Sequence, residues 1–377
     1  MLNLIQIETL EFTIKKIRLR ELSTFKESSL YKGLDVIPIS TNRIESYVNN
    51  PRANEEDVVL YLAFEDEKLV AFRTIFADSI NILQNQYKFG WFSGNWVHNN
   101  YRRKGISTLL LNEVMSDWDS KLLYTNYAPN SKQLYDKSNK FDLFLEKQGM
   151  RLYFTMQLEA LLTPRHPFFQ NIKILLRITD WGINILLYPF RKMNALRFKK
   201  WLKPAIIEDK LTDKQKEYLF QNNNSIFKRS EPEYNWIFNY PWITEKIRDN
   251  AFYPFSSHAN RFYYKFLSVD NGAGEICGLA IIKYRDGKIT TPYFNADKRF
   301  EHNLSMALIA FCYKEKAKLL TSYSPEFLAS LKNRNGIAFL RKDMSQKYFI
   351  TKSFKNALPL NEVIISAFDG DGDYIFT

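Results

Sequence analysis

Apolar and polar positions alternate with two different periods along this chain, and the switches between them mark a recurring order of strands and helices. "VVLYLAFEDEKLVAFRTIFADS" (58–79) holds two strand-like runs around the polar turn Glu65–Lys68, a hairpin pattern. "KFGWFSGNWVHN" (88–99) reads as another strand, and Gly94 in its middle predicts a bulge or a close backbone approach. The period then lengthens: Ile106, Leu109, Leu110, Val114 and Trp118 recur at helical spacing. "KLLYTNY" (121–127) returns to strand, and "SKQLYDKSNK" reads as a short helix that Asn130 or Ser131 caps. "FDLFLEKQGMRLYFTMQLE" (141–159) reads as a second hairpin turning at Gln148–Gly149.

The second half repeats this order. "AKLLTSYSPEF" (317–327) echoes "SKLLYTNYAPN" (120–130), and "QKYFIT" (346–351) echoes "RLYFTM" (151–156). "YNWIFNYPW" (234–242) faces "ESYVNNPR" (45–52), and the hairpin at 263–288 matches that at 58–79. The offsets run from 190 to 197 residues and are collinear, which points to duplicated domains rather than a solenoid; chance likeness among strand-rich segments is the alternative. The expected fold is α/β (α+β), with two tandem domains, each a mixed and mostly antiparallel sheet flanked by helices. The division is 1–160, a basic linker at 161–205, and 206–377.

A length of 377 residues suits two domains, and 45% hydrophobic with 16% aromatic residues is ample for burial. Cys277 and Cys312 are the only cysteines, so no disulfide framework is expected. His98, His166, His258 and His302 lie far apart in sequence, and no metal is expected. The N-terminal stretch carries charges inside its apolar run and is not read as a signal peptide. The most apolar window, "IKILLRITDWGINILLYPF" (172–190), is interrupted by Arg177 and Asp180 and ends at Pro189, too short and charged to span a bilayer. A cytoplasmic protein is expected. Between 160 and 205, Arg165, Lys173, Arg177, Arg191, Lys192, Arg197, Lys199, Lys200 and Lys203 face only Asp180. This segment reads either as an amphipathic surface that touches the inner membrane face or an acidic carrier, or as helices packing their apolar faces between the domains.

A formal net charge of +12 predicts attraction to anions, and one stretch concentrates the means to hold them. In "NNYRRKGISTLLLNEVMSDW" (99–118), Gly105 lets successive N–H groups point into one concavity. The following helix adds its unpaired N–H groups and the positive end of its dipole. Arg102, Arg103 and Lys104 add full charges. Strand, basic glycine turn and helix start together make a diphosphate cradle. It is neither a Walker loop nor the three-glycine dinucleotide fingerprint.

"VHNNYRRKGIS" is similar to the signature of the GNAT superfamily of acyl-CoA-dependent N-acyltransferases, Arg/Gln-x-x-Gly-x-Gly/Ala between a strand and a helix. Arg102 and Gly105 match; Ser107 stands where Gly or Ala is usual. The likeness covers roughly residues 5–158 and extends weakly over the rest as a degenerate copy. It implies acetyl-CoA, or another acyl-CoA, as donor and an amine as acceptor. The diphosphate would lie on N–H groups from Arg103 through Ile106 and Ser107 to Thr108, and the pantetheine arm along Trp96 and Val97. A backbone N–H at the bulge would steady the oxyanion.

The resemblance also implies an acid for the departing thiolate, and Tyr135 in "QLYDKSNKF" takes that place, although Asn139 stands near the expected glycine. A second alignment uses "FLEKQGM" and leaves Leu145 there, with no acid. The base is His98 or Glu113, between which the residues do not decide. In the second copy the glycine is replaced by His302 and the small residue by Leu304, which predicts no CoA site there. Trp236, Tyr240 and Trp242 read as core or as a stacking surface for a sugar acceptor such as a cell-envelope precursor. Asp369, Asp371 and Asp373 read as the start of a calcium loop, an acidic turn for a cationic acceptor, or a solvated turn before a last strand. Two further readings compete with acyl transfer from CoA. One is an aminoacyl-tRNA-dependent transferase, although nucleic acid is not the expected partner; the other is a membrane-docked scaffold.

Overall fold

Twelve strands join into a single sheet in the computed structural model of the chain, which describes residues 12–125 and 129–377. The first six are β1 (Thr13–Arg18), β2 (Val58–Glu65), β3 (Lys68–Ile82), β4 (Asn85–Val97), β5 (Leu122–Thr125) and β6 (Phe141–Tyr153). The second six are β7 (Ala205–Glu208), β8 (Phe262–Asp270), β9 (Ile276–Arg285), β10 (Lys288–Ala296), β11 (Leu319–Ser322) and β12 (Leu340–Thr351). Their order across the sheet is β1-β2-β3-β4-β5-β12-β6-β11-β10-β9-β8-β7. Read from either edge, five strands of one half are followed by the sixth strand of the other. The halves therefore exchange their last strands. Only β4–β5 and β10–β11 pair in parallel among the named strands, so the sheet is mixed and mostly antiparallel.

The hairpin expected at 141–159 is corrected: β6 runs without a break through Gln148 and Gly149. Glycine is needed there because Tyr323 lies against it, and an added Cβ would fall 2.2 Å from that ring. β12 pairs along almost the whole length of β6, from Phe141↔Thr351 to Tyr153↔Leu340, and so holds it straight. The strand expected through Tyr127 is described only at Leu122–Thr125; the remainder, and the side chains of Asn130 and Ser131, lie outside the described residues.

Six helices frame the candidate site and the basic linker: α1 (Thr41–Val48), α2 (Ile106–Asp117), α3 (Pro129–Ser138), α4 (Lys173–Leu186), α5 (Tyr188–Lys199) and α6 (Glu301–Lys314). α2 lays Ile106, Leu110, Leu111 and Val114 on one face of the first-half strands, against Ala71, Ile75 and Ala77 of β3. The opposite face carries Phe72 and Phe76 into a core shared with the second half, where Phe76 stacks on Trp236 at 5.8 Å and Trp242 stacks on Phe376 at 5.0 Å. Trp236 and Trp242 thus fill the core, which rules out their serving as an open stacking surface; Tyr240 is half-buried beside them.

One ionic group ties these layers together. Asp78, fully buried on β3, bonds Arg52 at 2.7 Å, Arg229 at 3.0 Å and Trp91 Nε1 at 2.8 Å. Arg52 is also paired with Glu233 of the second half. Burial alone would raise the Asp78 carboxyl; Arg229 and Arg52 outweigh it and hold it below the ordinary carboxylate range. Asp78→Asn leaves two guanidinium groups buried against a neutral amide, so we expect a loss of roughly 3–5 kcal/mol of stability in urea unfolding at pH 7. The contribution is full above about pH 4 and fades as pH falls through the lower folded-state value. A loss under about 1 kcal/mol would show that the cluster does not hold the halves together.

Candidate active site

β4 and β5 run side by side only at Gly90↔Leu122 and Trp91↔Leu123. Beyond Trp91 they part, and the β4 edge from Phe92 to Val97 loses its neighbour on that side. At the same point β4 bulges: Thr74 of β3 faces Gly94, Ile75 faces Phe92, and Ser93 is the extra residue. The irregularity expected at Gly94 is found there. Glycine is required by space, since an added Cβ would lie 2.6 Å from Thr74 Oγ1 and 3.3 Å from both Arg43 and Phe255.

The chain turns from β4 into α2 through residues 98–105, where Arg103 has φ 67° and Gly105 φ 83°. Those left-handed conformations bend the turn into a concavity, and nothing lies within 4 Å of where a Gly105 Cβ would be. Thr108 makes the first helical bond of α2, to Gly105 O at 2.9 Å, so the N–H groups of the preceding first turn are free to face the turn. A cavity of about 820 Å³ opens here. It brings together Trp96, Val97, Arg102, Arg103, Gly105, Ile106, Ser107 and Thr108. Lys104 does not line it and instead lies over the Tyr101 ring at 4.7 Å. Asn95 of β4 and Gln133, Leu134 and Lys137 of α3 complete its lining. Cations, helix-start N–H groups, an unpaired strand edge and an open glycine suit a ligand with a diphosphate at one end and an extended arm.

Tyr135 lies on α3, 3% exposed, with its ring 4.1 Å from Tyr124 and 5.1 Å from Phe92. Arg73 Nη1 donates to its hydroxyl at 3.5 Å, and Arg73 Nη2 donates to Asn95 Oδ1 at 3.2 Å. Burial raises the Tyr135 hydroxyl and the Arg73 charge opposes it, the net direction being upward, so the proton is retained. His98 lies four residues beyond Gly94, roughly 13 Å along the strand. Its Nδ1 accepts the Asn100 N–H at 3.3 Å, while its ring contacts Trp96 and Tyr101. The structure therefore sets His98 at the turn and not at the bulge. Glu113 of α2 pairs with Lys16 of β1 at 2.8 Å, a tie between the helix and the sheet edge.

A carboxylate does reach the bulge, from the far end of the chain. Ser93 Oγ donates to Asp373 Oδ2 at 2.7 Å. Lys283 of β9 fixes the turn that carries Asp373 by donating to the carbonyls of Tyr374 and Thr377; burial draws its amine down to about 7. The aspartates of "FDGDGDYIFT" are thus corrected from a solvated turn or calcium loop to three buried groups. Asp369 bonds Lys147 at 2.7 Å and Asp371 bonds Ser225 at 2.6 Å, and a short 3₁₀ turn, Asp373–Phe376, stands where a last strand was expected. Ser93 and Asp373 are 280 residues apart, and no local pattern joins them.

In the second half, His302 at the start of α6 is covered by Trp201 at 5.1 Å and approached by Arg334 at 3.2 Å, while Leu304 is fully buried. Protein fills the position that the cradle occupies in the first half.

Residues 40–138, which hold the bulge and the cradle, match the family model described as acetyltransferase (GNAT) domain. No curated protein matches the sequence. Among solved structures, the chain is similar to a probable N-acyltransferase from Enterococcus faecalis V583, at 11% identity and TM-score 0.48 over 92% of this chain and 74% of that one. It is similar to Saccharomyces cerevisiae N-myristoyltransferase with bound myristoyl-CoA, at 13% identity and TM-score 0.49 over 93% and 84%. A putative acetyltransferase from Pyrococcus horikoshii has 11% identity and TM-score 0.45 over 93% of each chain.

Two substitutions at Gly105 separate strain from blockage. Gly105→Ala meets no neighbour but forces a side chain to φ 83°, so stability should fall by about 1–2 kcal/mol with the cavity still open. Gly105→Trp fills the cavity, and calorimetric binding of acetyl-CoA should disappear. Undiminished binding in the tryptophan variant would place the nucleotide elsewhere.

Proposed function

We propose that this chain, which carries a GNAT acetyltransferase domain, transfers an acyl group from acyl-CoA to an amine by direct attack at the β4 bulge. The observation that carries the reading is that the parted β4 edge at Asn95–Val97 and the basic helix start line one cavity, with the bulge at Ser93–Gly94 next along the same strand. Bound acyl-CoA supplies the activated acyl group. Arg102, Arg103 and the N–H groups from Arg103 to Ser107 hold its diphosphate beside Thr108, and the edge at Trp96 and Val97 holds the arm. A backbone N–H at the bulge faces the developing oxyanion. Tyr135, kept protonated by burial, is the proton donor, and Arg73 orients its hydroxyl.

For the base we assign Asp373, because it is held by the bulge residue itself, whereas His98 and Glu113 are engaged elsewhere. The acceptor amine enters beside the half-buried rings of Trp96 and Phe255, which pack over the buried Phe72. These suit a ring-bearing amine such as an amino sugar or a cell-envelope precursor.

Free-thiol release from acetyl-CoA across a panel of amines and amino sugars tests this reading. The wild type should release thiol with at least one acceptor. Asp373→Asn, which keeps a group able to bond Ser93, should retain acetyl-CoA binding and lower kcat by about 100-fold or more, with the loss greatest at low pH where the acceptor is an ammonium. A kcat within about threefold of wild type would remove Asp373 from the mechanism.

A further inference from the structure

α4 is inside out. Two of its polar residues are turned to the protein while Lys173 and Arg177 stay exposed: Asp180 accepts the N–H groups of Leu158 and Glu159 at 2.6 and 2.9 Å, and Asn184 bonds both the N–H and the C=O of Met156, at 2.8 and 3.0 Å. These bonds fix the rotation of the helix about its axis. The opposite face is apolar and points outward. Ile174 is 74% exposed, Ile178 59%, Trp181 68% and Ile185 50%, spaced one turn apart along the helix. Leu186 at the end of α4 and Leu196 on α5 extend the same surface. Among the residues of α4, only Leu176 is buried. The alternative that this helix buries its apolar face between the two halves is therefore excluded.

We propose that this face docks on an anionic lipid bilayer, with α4 lying in the plane of the interface. Charge complementarity selects that occupant. Nine Lys and Arg residues lie between 165 and 203 against Asp180, which is committed to the helix start at Leu158; Lys173 and Arg177 pair with Glu159, and the segment keeps a strong cationic excess. A second copy of the chain would bring two such cationic rims together and is disfavoured by the same charges. Fourteen residues make a helix about 21 Å long, and among the described residues no helix is long and apolar enough to cross a membrane. An apolar stripe of that length, rimmed by Lys and Arg, is the pattern of a helix buried to half its depth in the headgroup region. The inference is independent of the acyl-transfer reading.

The test is co-sedimentation of the full chain with vesicles of phosphatidylcholine alone and with 30 mol% phosphatidylglycerol, a composition chosen as roughly that of an anionic leaflet. Binding should require the anionic lipid and weaken with salt. The double substitution Ile178→Glu and Trp181→Glu, on the outward face and away from Asp180 and Asn184, should lower the bound fraction about tenfold or more. An unchanged far-UV circular dichroism spectrum and urea unfolding midpoint in the variant report that the fold is intact. Equal binding to neutral vesicles, or binding that survives the double substitution, overturns the proposal. So does a wild-type dimer that the substitutions dissociate, which would assign the face to a second copy.

Discussion

The structure turns on one buried carboxylate. Asp78 sits at 0% exposure in the middle of β3 and is stable there only because Arg52 from the first half and Arg229 from the second both reach it. The pairing crosses between the halves, since Asp78 also takes Arg229 and Arg52 also takes Glu233 from beyond the linker. The exchange of β6 and β12 builds the same dependence into the sheet. β5 of the first half ends beside β12, and β11 of the second beside β6. Both halves of the chain thus contribute to one continuous sheet.

The chemistry of the candidate site depends on that body. β3 is a rigid template, pinned through Asp78 on one face and packed under α2 on the other. Against it, β4 can hold an extra residue at Ser93 and then leave β5 behind, which frees the edge that an acyl-CoA arm needs. The second half has its own cradle position closed by Trp201 and Leu304. What it contributes instead is the other side of the bulge: Phe255, Lys283 and the C-terminal turn that delivers Asp373. A single site shared by two halves has a simple physical basis here, because the residues that complete it can be ordered only once the sheet is continuous.

How much of this is legible in the sequence depends on the range of the interactions. The cradle is contiguous, from Arg102 to Thr108, and each residue acts through its own backbone or charge, so the pattern alone suffices. Gly94 signals a bulge for the same local reason. Gly149 misleads because glycine marks both turns and close approaches, and the ring that demands it, Tyr323, lies in the other half. The alternate aspartates at 369, 371 and 373 look solvated because their partners Lys147, Ser225 and Ser93 are more than 100 residues away. In α4 the apolar period is plain, but which face turns outward is decided by Asp180 and Asn184 hooking onto residues 156–159. Local signals mark the basic glycine turn; long-range contacts set the surroundings of Asp373 and the outward face of α4.

The central claim is that the acyl group is presented at the Ser93–Gly94 bulge by a nucleotide held at the start of α2. It is tested most directly by a crystal structure with a non-transferable acyl-CoA analogue in which a methylene replaces the thioester sulfur. The account predicts the diphosphate on the N–H groups from Arg103 to Ser107 and the acyl carbonyl within hydrogen-bonding distance of the bulge backbone. A diphosphate bound elsewhere, or a carbonyl directed away from the bulge, would contradict it.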